Sequence, residues 1–327
     1  VRWAATLAAG LVLATSLANG QDTEAPETRR WLNQGTLIIG PAGFSAGHLS
    51  HAGHPVPSGP LARLNGPLVN AAGATVFGHG TVHGPSVLNF GTINFDGPTS
   101  VVGDIANLDA GSVMISNGSS SKFFGAVVHN GADFEIEAGG SALFLDHVSG
   151  AGRYSGLGEV IFDGTFAPGN SPALVTFAGD VTFGINNNLE IEIGGLLRGT
   201  EYDALDVGGT ATLDGALTVL LINGFNPAAG DSFDIIIATT VVGQFAGELT
   251  PPLDPGLFWI IEYDLDPSGD DTVRLFIDTD DDSDDLPNSQ DNCTQVSNPD
   301  QTDSDGDLYG NACDADFNND GVINGLD

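Results

Sequence analysis

Aspartates at alternate positions dominate the last fifty residues of the chain. Residues 278–327 contain fifteen Asp and no Glu, Lys, Arg or His. Such closely spaced carboxylates lie well inside the Debye length of about 8 Å, so the segment must either stay expanded or recruit cations. Ca²⁺ takes six to eight oxygens, which a twelve-residue loop supplies from positions 1, 3, 5, 7, 9 and 12. The spacing predicts three such loops.

The first two loops depart from this pattern at position 6, where a sharp turn favours glycine. That position is Asp285 in loop 280–291 and Leu308 in loop 303–314. Leucine is a poor residue for positive φ, so the second loop must bend differently or bind calcium more weakly. The predicted ligands are Asp280, Asp282, Asp284, Asn288 and Asp291 in the first loop, and Asp303, Asp305, Asp307, Asn311 and Asp314 in the second.

Two cysteines and a short polar motif accompany these loops. Cys293 and Cys313 are the only cysteines of the chain, and NPDQ occupies 298–301. In an exported protein such a pair favours a disulfide, which would contribute roughly 3 kcal/mol by closing the segment between Cys293 and Cys313. With the acidic spacing, DNC at 291–293 and ACD at 312–314, these features resemble thrombospondin type 3 repeats over about residues 278–314. The resemblance implies that calcium ions and disulfides replace a hydrophobic core.

The third loop, DFNNDGVINGLD at 316–327, shows no departure from the pattern, and Gly321 occupies position 6. Its predicted ligands are Asp316, Asn318, Asp320, the carbonyl of Val322, Asn324 and Asp327. The loop resembles the first calcium loop of a type I dockerin, or an EF-hand-like loop in general. A dockerin has two such loops and would bind a cohesin-like partner. We therefore expect Asp327 to fall inside a longer module.

The body of the chain has the composition of many short strands joined by tight turns, since Gly supplies 46 of 327 residues. Asn, followed shortly by Gly, recurs at Asn70, Asn89, Asn107 and Asn130. Units of this size cannot bury a core alone and must stack. We predict an all-β fold: a right-handed parallel β-helix, or β-solenoid, over 31–180. Rungs and a β cap follow over 181–277, and then an Asp-rich tail with little regular structure.

Within the predicted β-helix, alternate apolar side chains should point inward, and stacked Asn side chains should hydrogen-bond along the axis. The predicted inward set is Val113, Ile115, Phe134, Ile136, Leu143 and Leu145. FAPGNSP at 166–172 and the strands after it resemble the C-terminal rungs of bacterial autotransporter passengers and surface adhesins, over about residues 60–250. That resemblance implies an adhesive surface protein.

The N-terminus and the net charge indicate the compartment and exclude some partners. Residues 1–20 have the basic, apolar and small-residue regions of a signal peptide, and 21–30 form a polar linker. No later apolar stretch is long enough to span a membrane. A net charge of −35 disfavours contact with phosphate backbones, so nucleic acid is not an expected partner. The protein is expected to be secreted or displayed at the cell surface.

These observations predict a non-catalytic function. We expect a calcium-binding surface or matrix protein for adhesion, which recognises a glycan or protein ligand and whose acidic stalk is stiffened by Ca²⁺. The alternative is a polysaccharide lyase or hydrolase attached to a scaffold through the dockerin, because both activities occur on β-helices. A lyase would need a basic residue, and Lys122 and Arg153 are candidates on the predicted rungs.

Overall fold

The structure is a computed structural model, and it describes residues 31–34, 36–40, 43–46, 49–51, 54–55, 60–61, 67–169, 172–266 and 269–316. The predicted signal peptide, the linker and most of the third calcium loop lie outside these residues. In the described part of the chain, no helix has the length and apolar character needed to cross a membrane.

Strands make up nearly all of the regular structure in the described residues, and the one helix among them is a short 3-10 helix at Asn288–Gln290. The first strands are β1 (Trp31–Asn33), β2 (Thr36–Gly40), β3 (Gly43–Ala46), β4 (Leu49–His51), β5 (His54–Pro55), β6 (Pro60–Leu61), β7 (Leu68–Asn70), β8 (Thr75–Asn89) and β9 (Thr92–Leu108). The middle strands are β10 (Ser112–Ile115), β11 (Ser120–Phe123), β12 (Val127–Asn130), β13 (Asp133–Ile136), β14 (Ser141–Phe144), β15 (Val148–Gly150), β16 (Tyr154–Ser155), β17 (Glu159–Phe162) and β18 (Thr165–Pro168). The last are β19 (Leu174–Phe177), β20 (Val181–Phe183), β21 (Asn188–Ile193), β22 (Ala204–Leu213), β23 (Ala216–Leu221), β24 (Ser232–Gly243), β25 (Gly247–Leu249), β26 (Leu257–Asp264) and β27 (Asp271–Thr279).

Parallel pairing joins each middle strand to the strand three places later, which produces three ladders. One ladder runs through β10, β13, β16, β19, β22 and β24. A second runs through β11, β14, β17, β20 and β22, and the third through β12, β15, β18, β21, β23 and β25. The long strands β8 and β9 pair with each other in three sections and contribute to all three ladders. The predicted all-β class and the stacking of short units are confirmed, and the right-handed solenoid stays a prediction.

Antiparallel pairs occur at both ends of the parallel region. Near the N-terminus, β1 pairs with β4 and β2 pairs with β3. At the other end, β27 pairs antiparallel with both β24 and β26. The hairpin of β26 and β27 therefore occupies the edge that β24 would otherwise expose to further pairing.

Alternation along the strands explains the interior. Val113, Ile115, Phe134 and Ile136 are buried as predicted, and they belong to one apolar cluster that extends from Leu37 to Ile277. Aromatic rings stack between neighbouring rungs, with ring centroids 4.8 Å apart for Phe123 and Phe144 and 5.4 Å for Phe144 and Phe162. Such contacts bury large apolar areas where a unit of four residues could not form a core by itself.

The predicted inward orientation of Leu143 and Leu145 is wrong. In β14 the buried side chains are Ala142 and Phe144, while both leucines are only half buried. The register places Phe144 opposite Phe123, and this aromatic contact fixes which face of the strand points inward. A shift of one residue reverses every side chain of a strand, so a local apolar pattern can select the wrong face.

A row of buried amides connects successive rungs. The Nδ2 of Asn33 donates to Oδ1 of Asn70 at 2.8 Å, Asn70 donates likewise to Asn89 at 2.7 Å, and Asn89 to Asn107 at 2.7 Å. The predicted fourth member, Asn130, is not in this row. His129 takes its place, with Nδ1 3.2 Å from Nδ2 of Asn107.

The shift from Asn130 to His129 follows from the register, because β12 pairs with β9 so that His129 lies opposite Asn107. Since Nδ1 of His129 faces an amide donor, Nε2 carries the proton and donates to the carbonyl oxygen of Arg153 at 2.9 Å. Burial lowers the pKa of His129, while the Arg153 carbonyl and the Asp133 carboxylate oppose that change. The row thus ends in a neutral imidazole.

Candidate metal centre

The first Asp-rich loop folds around the carboxylate of Asp280. Its Oδ1 accepts hydrogen bonds from the backbone N–H of Ser283 at 2.6 Å and of Asp284 at 3.2 Å, and its Oδ2 accepts from Asp285 at 2.9 Å. This winding brings a carboxylate oxygen from each of Asp280, Asp282 and Asp284 within 4.8 Å of one another.

The second loop repeats the same arrangement 23 residues later. Oδ1 of Asp303 accepts from Gly306 N at 2.7 Å, and Oδ2 accepts from Leu308 N at 3.1 Å. Carboxylate oxygens of Asp303, Asp305 and Asp307 also lie within 4.8 Å of one another. Two segments with different residues at several positions therefore form one loop geometry, because the alternate aspartates dictate the turn.

Position 6 of each loop adopts the left-handed backbone conformation although neither residue is glycine. Asp285 has φ 70° and Leu308 has φ 81°. The expectation that Leu308 makes the second loop bend differently is therefore wrong: the loop bends in the same way and accepts the strain of a leucine at positive φ. Weaker calcium binding by this loop stays a prediction.

The other predicted ligands of these loops have defined positions. Oδ1 of Asn288 accepts from Asp281 N at 3.1 Å, and Oδ1 of Asn311 accepts from Ser304 N at 2.9 Å, so the two asparagines brace equivalent turns. Oδ1 of Asp291 accepts from Cys293 N at 2.8 Å. These three side chains support the loops through hydrogen bonds, and their service as metal ligands stays a prediction.

A third group of carboxylates joins residues that the sequence assigned to different loops. Oxygens of Asp305, Asp314 and Asp316 lie within 4.8 Å of one another, and Oδ1 of Asp314 accepts from Asp316 N at 3.0 Å. Asp316 was predicted to open the third loop, and the structure places it beside the second. The remaining predicted ligands of the third loop, Asn318, Asp320, Val322, Asn324 and Asp327, lie outside the described residues.

The electrostatics within each triad differ between its first and middle aspartates. The backbone N–H of Gly306, with further donors, lowers the pKa of Asp303. Burial raises the pKa of Asp305, and the neighbouring carboxylates of Asp303 and Asp307 add to the rise. Burial, followed by the carboxylates of Asp284, Asp291 and Asp280, likewise raises the pKa of Asp282. The middle aspartate of each triad therefore experiences uncompensated negative charge.

A disulfide and one glutamine add constraints to the Asp-rich tail. Cys293 and Cys313 are bonded as predicted, with their Cα atoms 5.6 Å apart. Nε2 of Gln301 donates to Oδ1 of Asp291 at 2.8 Å, and its Oε1 accepts from Asn292 N at 2.7 Å. Oδ2 of Asp284 accepts from Asn298 N at 2.9 Å. The NPDQ segment therefore binds the first loop and Asn292, and loop spacing alone does not reveal these contacts.

The donor set fits a hard divalent cation. Both carboxylate oxygens of Asp282 and both of Asp305 are buried, and none of the four has a hydrogen-bond partner among the residues that the structure describes. Buried oxygens without partners carry a large desolvation cost, which a divalent cation held by these carboxylates would offset. Carboxylate oxygens on a flexible loop suit Ca²⁺ better than Mg²⁺, which demands near-ideal octahedral geometry.

Comparison with protein families agrees with this geometry. Residues 263–301 and 302–327 match the family model of the thrombospondin type 3 repeat. The tail is therefore similar to thrombospondin type 3 repeats. Repeats of this family are calcium-binding modules of extracellular proteins. The match begins upstream of the predicted start at Asp278, inside β26, and it includes the segment 316–327. A search of curated proteins found no match to the chain.

Proposed function

We propose that the protein is an extracellular calcium-binding structural protein, in which a rigid β-domain, built from strands β1–β27, is joined to an Asp-rich stalk that Ca²⁺ holds in shape. The observation that carries this proposal is the pair of middle aspartates, Asp282 and Asp305. Each presents to a triad of carboxylates two buried oxygens that have no hydrogen-bond partner among the described residues. In a segment that matches the type 3 repeat, Ca²⁺ would balance the negative charge of these carboxylates.

Ca²⁺ would neutralise the carboxylates that repel one another in each triad. The residues that would hold it are Asp280, Asp282 and Asp284 in the first loop, and Asp303, Asp305 and Asp307 in the second. Asp314 and Asp316 extend the second site through Asp305. The protein itself supplies further constraints, which are the Cys293–Cys313 disulfide and the hydrogen bonds of Gln301 to Asp291 and Asn292.

The β-domain is proposed to be a right-handed parallel β-helix that presents an adhesive surface to a glycan or protein ligand. Support comes from its three parallel ladders, its continuous apolar core and the row of buried amides. Such a body is rigid because each rung is hydrogen-bonded to two neighbours. The disulfide between Cys293 and Cys313 fits an exported protein, since such bonds persist in oxidising compartments.

Limited proteolysis tests the calcium-dependent stalk. We expect the full chain in Ca²⁺ to resist cleavage throughout 278–316, and EDTA to open that segment while the β-domain stays intact. Cleavage is expected because EDTA removes the Ca²⁺ that would balance the negative charge of the triads. Mass spectrometry of the fragments locates the cleavage sites.

Asp282→Asn offers a matched variant for this assay, because it removes one carboxylate from the first triad and keeps the size of the side chain. Its first loop should be cleaved at calcium concentrations that protect the wild-type chain. Asp163→Asn is the control, because Asp163 lies between β17 and β18 and contacts Asn186 there. Equal protease resistance of 278–316 with and without EDTA would contradict the proposal.

The polysaccharide-active enzyme with a dockerin stays a prediction. Of the candidate bases, Arg153 is ion-paired to Asp133 at 3.1 Å on the outside of the domain. Activity against acidic glycans that is lost on substitution of Lys122 or Arg153 would favour the enzyme.

A further inference from the structure

A groove lies between the two calcium loops and borders the second triad at Asp307. It encloses about 610 Å³, and its apolar wall consists of Val296, Leu308, Tyr309 and the Cys293–Cys313 disulfide. Asp291 and Asp307 contribute carboxylates to its lining. We name this feature the inter-loop groove. Its volume is in the range of sites that receive one or two side chains or a small ligand.

The apolar side chains of the inter-loop groove are unusually exposed. Leu308 is 83% exposed, Tyr309 64% and Val296 43%. Each is surrounded by a segment in which every charged residue is an aspartate. Single exposed apolar residues are ordinary, but three that line one concave surface mark an interaction site more often than a solvent-facing one.

The backbone conformation of Leu308 is a second reason to expect a partner at this groove. Its backbone has φ 81°, a conformation that costs free energy for any residue with a Cβ, and its side chain gains almost no burial in return. Gly would fit this turn without strain and would leave the calcium loop unchanged. Neither loop geometry nor core packing therefore accounts for a leucine here. A strained and exposed side chain beside a groove is accounted for by contact with a partner.

We propose that the inter-loop groove docks a partner segment that carries an apolar side chain flanked by Lys or Arg. Charge complementarity selects this occupant. Residues 278–316 contain thirteen Asp and no basic residue, and divalent ions in the three carboxylate groups would neutralise fewer than half of them. A second copy of this chain is disfavoured because each copy carries a net charge of −35. The proposal rests on the proposed function only in that Ca²⁺ holds the loops that form the groove.

The test uses the full chain in Ca²⁺ and three fluorescein-labelled peptides, with binding measured by fluorescence anisotropy near physiological salt. One peptide alternates Lys with Leu, the second alternates Lys with Ser, and the third alternates Glu with Leu. The Lys–Leu peptide is expected to bind at least about tenfold more tightly than the Lys–Ser peptide, because only it buries apolar area in the groove. The Glu–Leu peptide should not bind.

Leu308→Gly separates docking from calcium binding. It should weaken the Lys–Leu peptide by about tenfold while leaving calcium affinity equal or higher, since Gly relieves the strain at positive φ. Leu157→Ser is the control, because Leu157 is 72% exposed on the β-domain. Equal binding of the Lys–Leu and Lys–Ser peptides, or an unchanged affinity in Leu308→Gly, would overturn the proposal. If the chain does not bind calcium, the proposed function fails. The difference in affinity for the Lys–Leu peptide between the wild type and Leu308→Gly still tests docking in the groove.

Discussion

Asn89 and Asn130 occupy the same place in the sequence pattern, but the structure gives them different energetic roles. Asn89 is fully buried and takes part in four hydrogen bonds. It donates to Asn107 at 2.7 Å and to the Ser112 carbonyl at 2.9 Å, and it accepts from Asn70 at 2.7 Å and from Gly91 N at 3.3 Å. At about 1 kcal/mol for each bond, Asn89→Ala should cost about 4 kcal/mol.

Asn130→Ala removes a single exposed hydrogen bond, which Asn130 accepts from Ala151 N at 3.0 Å. Its expected cost is about 1 kcal/mol or less. For a domain of this size, each kcal/mol lowers the melting temperature by roughly 2–4 °C. Thermal unfolding followed by circular dichroism should therefore show a decrease of roughly 8–16 °C for Asn89→Ala and of at most roughly 4 °C for Asn130→Ala. Similar decreases for both variants would refute the assigned register and the amide row.

Two further predictions concern His129, at the end of the amide row, and Gly310, in the tail. Burial lowers the pKa of His129, so the histidine of the unfolded chain takes up a proton first as the pH falls. The free energy of unfolding should therefore decrease below about pH 6.5, by up to about 1.4 kcal/mol per pH unit. His129→Asn, which extends the amide row, should remove that part of the pH dependence in urea titrations. A Cβ at Gly310 would lie 2.3 Å from Oδ1 of Asn292 and 2.7 Å from Sγ of Cys293. Gly310→Ala should therefore weaken calcium binding by at least about tenfold in a calcium titration. Gly306→Ala, whose Cβ meets nothing within 4 Å, should have a smaller effect that arises from backbone strain alone.

The sequence predicted those features that depend on local spacing. Alternation identified the buried faces of Val113 and Phe134, and the spacing of aspartates identified both triads. Sequence spacing gave the wrong residue where a contact with a distant part of the chain determines which side chain points inward. Phe123 fixes the face of β14 that Leu143 was expected to occupy, and the register with β9 selects His129 in place of its neighbour.

The tail shows the same division between local and distant contacts. The role of Gln301 depends on its approach to Asp291, ten residues away, and the position of Asp316 depends on its approach to Asp305. A twelve-residue template treats each loop separately, so it cannot describe contacts between loops. The continued alternation of Asp314 and Asp316 is the one local signal that the second site extends beyond its template.

Isothermal titration of the full chain with Ca²⁺ is the most direct test of the account. The wild-type chain should bind Ca²⁺ in the tail, and Asp282→Asn and Asp305→Asn should each remove a separate class of site or weaken it by at least about tenfold. Each substitution deletes a carboxylate whose oxygens have no hydrogen-bond partner in the part of the chain that the structure describes. Titration curves for both variants that match the wild type would contradict the assignment of the two triads as metal centres.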